Sequence, residues 1–204
     1  MKLKNLFFTS AIAVWMVGCS PSTLPPIYSP QAMDVLIKDV QLISKKFKVE
    51  EILYEEKEEL MNEFGTATIR IRDDNGKIFE QTLYYNTKIP HTDPEPARDP
   101  VWMRDFPKSV NINDIIKQKT NLEKYVQTAI TLIEEGVEEG DFIFEGVSRL
   151  IFSSDDNGDL IIKFTINLTE KGTKARTEGN KRVIDYYAFD FMVDKDGEVS
   201  YIEE

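Results

Sequence analysis

Three tetrapeptides constrain this chain more than any other feature: Asp73-Asp74-Asn75-Gly76, Asp155-Asp156-Asn157-Gly158 and Asp194-Lys195-Asp196-Gly197. Each lies between apolar, β-rich runs and ends in a glycine suited to a left-handed turn position. A three-residue loop closing at that glycine pairs Ile71 with Phe79 and Ala67 with Leu83 in the first hairpin. The same rule pairs Phe152 with Ile162 and Leu150 with Phe164 in the second. In the third it pairs Val193 with Val199 and Phe191 with Tyr201. Apolar side chains then share one face in all three, and Arg70 meets Glu80 on the other face of the first. A two-residue loop in the first would instead set Ile71 against Glu80 and Arg72 against Phe79. A one-residue slip exchanges the two faces of a strand, so this agreement selects the register.

The nine prolines fall in two places. Pro21, Pro25, Pro26 and Pro30 mark an extended tether over residues 19–29, and Pro90, Pro94, Pro96, Pro100 and Pro107 mark a central loop over 90–107. Ser29 reads as an N-cap with Pro30 at the first helical position. Met33, Leu36, Ile37, Val40, Ile43 and Phe47 continue at helical spacing, and Lys45, Lys46 and Lys48 suit the negative end of the helix dipole. The acidic segment from Val49 to Glu63 reads as a second, weaker helix, its apolar face being Ile52, Leu53, Leu60 and Met61. A short helical turn is expected around Ile112 to Lys117. A longer helix follows, with Thr120 to Glu123 as a capping box, a stripe of Leu122, Val126, Ala129, Ile130 and Ile133, and Gly136 as its stop.

The expected fold class is therefore α+β: an antiparallel sheet of three β-hairpins with helices packed on one face. It forms a single domain over residues 30–204, its halves 30–89 and 108–204 joined by the proline loop. A helix followed by four antiparallel strands is similar to cystatin-like and NTF2-like folds. Both halves read as helix then hairpin with Asp-Asp-Asn-Gly at the first turn. That echo leaves two readings open, a duplicated unit or turn chemistry alone.

Ahead of the tether, Lys2 and Lys4 precede an apolar stretch from Leu6 to Val17 that is too short and interrupted to span a bilayer. It ends in Met16-Val17-Gly18-Cys19, which resembles the lipobox of bacterial lipoproteins. The resemblance implies that residues 1–18 are a signal peptide and that Cys19 carries diacylglycerol and an amide-linked acyl chain such as palmitate. Two or three acyl chains hold a protein durably on a membrane where one does not. Ser20 after the cysteine resembles an outer-membrane address, with the domain facing the periplasm. Removing Lys2 and Lys4 takes the formal charge from −11 to about −13. Such a chain repels nucleic acid and anionic headgroups and is suited to a basic partner.

Cys19 is the only cysteine and His91 the only histidine. No Ser-His-Asp or Cys-His arrangement can be assembled around an isolated His91, and a His–Cys zinc site fails on ligand number. The aspartate turns fail as EF-hands. Aligning their glycines at loop position six puts Ser153, Ile71 or Met192 at position one, and Phe164 or Thr82 at position twelve for the first two. The 36 acidic residues always offer carboxylate pairs, so pairing alone says nothing about glycoside hydrolysis. The expectation is a protein without catalytic residues, metal or cofactor apart from the lipid on Cys19.

What remains is surface. Trp102, Met103 and Phe106 beside Arg98 and Arg104 form a candidate partner-binding patch, with core packing between the halves as the alternative. Glu50, Glu51, Glu55, Glu56, Glu58 and Glu59 form an acidic run suited to steering a basic partner; Glu55, Glu56 and Glu59 are the candidates carried forward. These features suggest a non-enzymatic, membrane-tethered module that binds protein, such as an immunity protein against an antibacterial toxin delivered, for example, by type VI secretion. The alternatives are an accessory lipoprotein of envelope assembly or a secretion system, and a small-ligand-binding domain.

Overall fold

A computed structural model describes residues 25–59, 62–97, 108–136, 142–174, 176–178, 181–183 and 187–202. Helix α1 (Pro30–Ile43) leads into β1 (Lys48–Glu59), β2 (Asn62–Arg72), β3 (Ile78–Tyr85) and the two-residue β4 (Glu95–Pro96). Helices α2 (Ile112–Gln118) and α3 (Leu122–Gly136) follow, then β5 (Phe142–Ser154) and β6 (Leu160–Glu170). After a separate pair, β7 (Arg176–Glu178) with β8 (Lys181–Val183), the chain ends in β9 (Tyr187–Val193) and β10 (Val199–Tyr201).

The fold is α+β, with an eight-stranded antiparallel sheet ordered β10-β9-β6-β5-β1-β2-β3-β4. All six residue pairs read from the turns occur: Ile71 with Phe79, Ala67 with Leu83, Phe152 with Ile162, Leu150 with Phe164, Val193 with Val199, and Phe191 with Tyr201. The three turns are built alike. The first aspartate accepts from the glycine N–H at 3.0, 3.0 and 3.1 Å, and Gly76, Gly158 and Gly197 have φ of 82°, 90° and 83°. That backbone strains any residue with a Cβ, so glycine is required there.

The cross-strand register aligns the inner-face residues into rows. One runs Leu83, Ala67, Tyr54, Leu150, Phe164, Phe191 and Tyr201 across seven strands. The next runs Gln81, Ile69, Ile52, Phe152, Ile162, Val193 and Val199. Met33, Leu36, Ile37 and Val40 of α1, Ile115 of α2, and Leu122, Val126, Ala129 and Ile133 of α3 close over them in one core. Hydrophobic burial on this scale is the main force holding helices to sheet.

The sheet has an internal two-fold arrangement. Each half contributes four strands laid outward from the centre, preceded by one helix in the first half and two in the second, and the two leading strands, β1 and β5, pair antiparallel at the middle. The Asp-Asp-Asn-Gly turns do not occupy equivalent positions. One joins the second and third strands of its half, the other the first and second, and all three aspartate turns lie at one end of the sheet. The shared tetrapeptide therefore does not mark equivalent positions in the two halves.

Several local expectations are corrected. The acidic segment from Val49 is strand β1, not a helix. Glu50 is an extra residue in its ladder, since Val49 pairs with Ile71 and Glu51 with Arg70. The bulge puts Val49 and Ile52 on one face at a spacing of three, which imitates helical periodicity. Helix α1 carries the expected Ser29 cap, whose side chain accepts from the Ala32 N–H, but it ends at Ile43, before the lysines. Helix α3 begins at Leu122, and the Asn121 carbonyl accepts the first helical bond from Tyr125, so Asn121 occupies the capping position expected of Thr120. Ordered packing begins ahead of α1, because Ile27 is 2 % exposed and belongs to the core.

Candidate functional site

The sheet's second face has no described helix against it. Its side chains fall into three rows. Across β3, β2 and β1, Arg70 sits between two carboxylates, donating from Nε to Glu80 Oε1 at 3.0 Å and from Nη1 to Glu51 Oε1 at 2.5 Å. The middle row is Thr82, Thr68, Leu53, Ile151, Lys163 and Met192, with Leu53 and Ile151 side by side at the centre. The third is Tyr84, Thr66, Glu55, Arg149, Thr165 and Asp190. In it Arg149 Nε lies 3.5 Å from Glu55 Oε1, and the Thr165 hydroxyl donates to Asp190 Oδ1 at 2.5 Å.

This geometry redistributes the acidic run. In an extended strand, successive side chains alternate between faces. Glu51 and Glu55 therefore meet arginines on the helix-free face. Glu56 takes the helix side, where its charge and the burial of Tyr54 push that phenol up to about 12, burial being the larger cause. Glu59 is a strand position paired with Asn62. Glu50, at the bulge, is 1 % exposed: Arg72 Nε lies 3.1 Å from its Oε1, and the Ser109 hydroxyl donates to that oxygen at 3.1 Å. Trp102, Met103, Arg104 and Phe106 lie outside the described residues, as does Cys19.

Both stems of the proline loop are fastened at the turn end of the sheet. The Ala97 N–H donates to the Ile78 carbonyl at 3.2 Å on the β3 edge. The Val110 N–H donates to the Val49 carbonyl at 2.7 Å on β1, and the Ser154 hydroxyl donates to the Lys108 carbonyl. These stems lie on strands two apart, β3 and β1, with β2 between them.

His91 is an edge fastener. Its Nδ1 accepts from the Tyr84 N–H at 3.0 Å, and its Nε2 lies 3.7 Å from Asp39 Oδ2, which also accepts from the Tyr85 hydroxyl at 3.2 Å. Nδ1 is thus taken up by the sheet edge, while Nε2 faces the Asp39 carboxylate. Each turn aspartate spends one oxygen on two backbone N–H groups: Asp73 on Asn75 and Lys77, Asp155 on Asn157 and Asp159, Asp194 on Asp196 and Glu198. These bonds, led by that from Asp159, pull the Asp155 carboxyl below its ordinary range. Among the described residues no group of three or more His, Cys, Asp or Glu could hold a metal ion, and no helix is long and apolar enough to cross a membrane.

Chemically, the helix-free face offers an apolar centre between two rows of charges already paired within the fold. Such a surface can set an apolar contact and orient a partner whose charges complement the flanking rows. The Arg70–Glu80 pair was legible from the first hairpin's register, whereas Arg149, Lys163 and Asp190 were not singled out, although each occupies the outward position of an alternating strand. No family model matches the chain, and no curated protein or solved structure is significantly similar to it.

Proposed function

We propose that the chain is a lipoprotein, anchored through Cys19 to the outer membrane, whose periplasmic domain binds another protein without catalysing a reaction. The observation that carries this reading is the helix-free face, where an apolar centre at Leu53 and Ile151 lies between rows of paired charges. A partner of basic character suits a chain of formal charge −11, and a toxin neutralised by an immunity protein is the partner class favoured. Trp102, Met103, Arg104 and Phe106 join this reading on sequence grounds, as do Glu55, Glu56 and Glu59.

The buried Ile27 sharpens the tether. Seven residues lie between Cys19 and the core residue Ile27, and the eight Cα–Cα steps reach about 28 Å at most, so the domain works close to the bilayer. The same proposal reads the sheet as a cystatin-like or NTF2-like scaffold of three Asp-turn hairpins, used through its outer face. Filling of the inner face by Phe152, Phe191, Met33 and Leu36 favours protein binding over a small ligand held between helices and sheet. An accessory role in envelope assembly or secretion would use the same surface.

The test combines anchor and partner. Labelled palmitate enters the wild-type chain and not Cys19→Ser, and, where a toxin gene lies beside this one, the wild type protects cells against its product. Arg149→Glu abolishes that protection with folding intact. Absence of label refutes the anchor, and full protection by Arg149→Glu refutes the use of this face.

A further inference from the structure

We propose that His91 is a proton-sensitive pin that holds residues 90–97 to the β3 edge of the sheet only while its imidazole is neutral. An edge strand needs cover for its outward N–H and C=O groups. Here residues 92–97 supply most of it: the Thr92 N–H donates to the Thr82 carbonyl at 2.9 Å, the Thr82 N–H donates to Thr92 Oγ1 at 2.9 Å, and the Ala97 N–H donates to the Ile78 carbonyl. Pro90, Pro94 and Pro96 carry no N–H that could recruit a further strand.

At Tyr84 the backbone of the loop supplies no acceptor, and the imidazole takes its place. The Tyr84 N–H donates to His91 Nδ1 at 3.0 Å. That bond requires a lone pair on Nδ1, hence a neutral ring with its proton on Nε2, the nitrogen that faces Asp39 Oδ2 at 3.7 Å. Protonation places an N–H on Nδ1 directly against the Tyr84 N–H. The two donors repel, and the imidazolium is drawn toward the Asp39 carboxylate instead. One proton therefore exchanges an edge hydrogen bond for an ion pair with α1.

Among the described residues, these groups face the ring. From α1 there is Asp39; from β3 there is Tyr85, whose ring meets the imidazole edge-to-face at 5.9 Å and whose hydroxyl donates to Asp39. Tyr54 of β1 stands behind Tyr85 at 5.6 Å. Within the loop the flanking charges are Lys88 and Asp93. The ring is 43 % exposed, so a proton reaches it without unfolding.

Amide hydrogen exchange on the full chain tests the pin, after correction for intrinsic exchange rates. The opening constant at Tyr84 should rise about tenfold for each pH unit below the His91 midpoint, because only the neutral form closes. Thr82, whose acceptor on Thr92 does not titrate over that range, should stay level. In His91→Asn the side-chain oxygen replaces Nδ1 as a non-titrating acceptor, so Tyr84 should stay protected at every pH. In Asp39→Asn the slope should persist, since the acceptor of the Tyr84 N–H is still the imidazole. A level Tyr84 profile in the wild type, or an unchanged slope in His91→Asn, overturns the proposal.

Discussion

The Ser109 hydroxyl donates to Glu50 Oε1 at 3.1 Å, joining the segment that leads into α2 to a bulge in β1. Glu50 is almost wholly buried, and Arg72 lies 3.1 Å from the same oxygen. The second oxygen, Oε2, has no hydrogen bond among the described residues. A buried charge in that position persists only while its partners persist.

Removing Ser109 should therefore cost little and removing Glu50 much more. Ser109→Ala is expected to lower stability by about 1 kcal/mol. Glu50→Ala, which removes a buried carboxylate that meets both Arg72 and Ser109, should cost about 3 kcal/mol. Urea titration of the two variants and their double mutant measures both. The double should cost less than the sum, because Ser109 acts through Glu50.

The turn glycines separate backbone strain from crowding. A Cβ at Gly76 meets nothing within 4 Å, so Gly76→Ala should cost only its left-handed strain, about 1 kcal/mol. A Cβ at Gly197 would lie 3.1 Å from the Tyr125 hydroxyl, itself fixed by donation to Gln118 Oε1 at 2.8 Å. Gly197→Ala should lower the melting temperature further than Gly76→Ala. Adding Tyr125→Phe should remove most of the difference.

The inner-face tyrosines make the fold sensitive to alkali. Burial, with the Glu56 charge second, raises the Tyr54 phenol to about 12, and burial together with Asp39 raises Tyr85 strongly. A phenol raised in the folded state binds its proton more tightly folded than unfolded. Its stabilising contribution is complete below the unfolded value near 10 and is lost as pH rises toward the folded value. Unfolding free energy should therefore fall above about pH 10, by about 1.4 kcal/mol per pH unit for each tyrosine. Tyr54→Phe should remove one tyrosine's share of that slope, measured by denaturant titration between about pH 9 and pH 11.5.

The hairpins were legible because two local rules act together in them. Glycine fixes the turn, and the two-residue period of a strand then decides the faces, so Ile71–Phe79 and Phe191–Tyr201 follow with no knowledge of the rest. Strand β1 was not legible, for two reasons. The Glu50 bulge breaks the alternation between Val49 and Ile52. Its glutamates also disfavour a strand until Arg70, Arg72 and Arg149 arrive from other strands to neutralise them. The central pairing of Ile52 with Phe152 joins residues a hundred positions apart, and no local pattern encodes it. The helix-free face stayed hidden for the same reason. Its residues form a surface only once β1 and β5 meet at the centre of the sheet.

The most direct measurement is site-specific photocrosslinking in intact cells. A photoreactive residue replaces Lys163, in the middle row of the helix-free face, or Gln127, exposed on α3. If the sheet face binds the partner, position 163 yields one dominant protein adduct, position 127 yields none, and Arg149→Glu abolishes the adduct. An adduct from position 127 alone, or one from 163 that survives Arg149→Glu unchanged, would contradict a partner-binding role for this face.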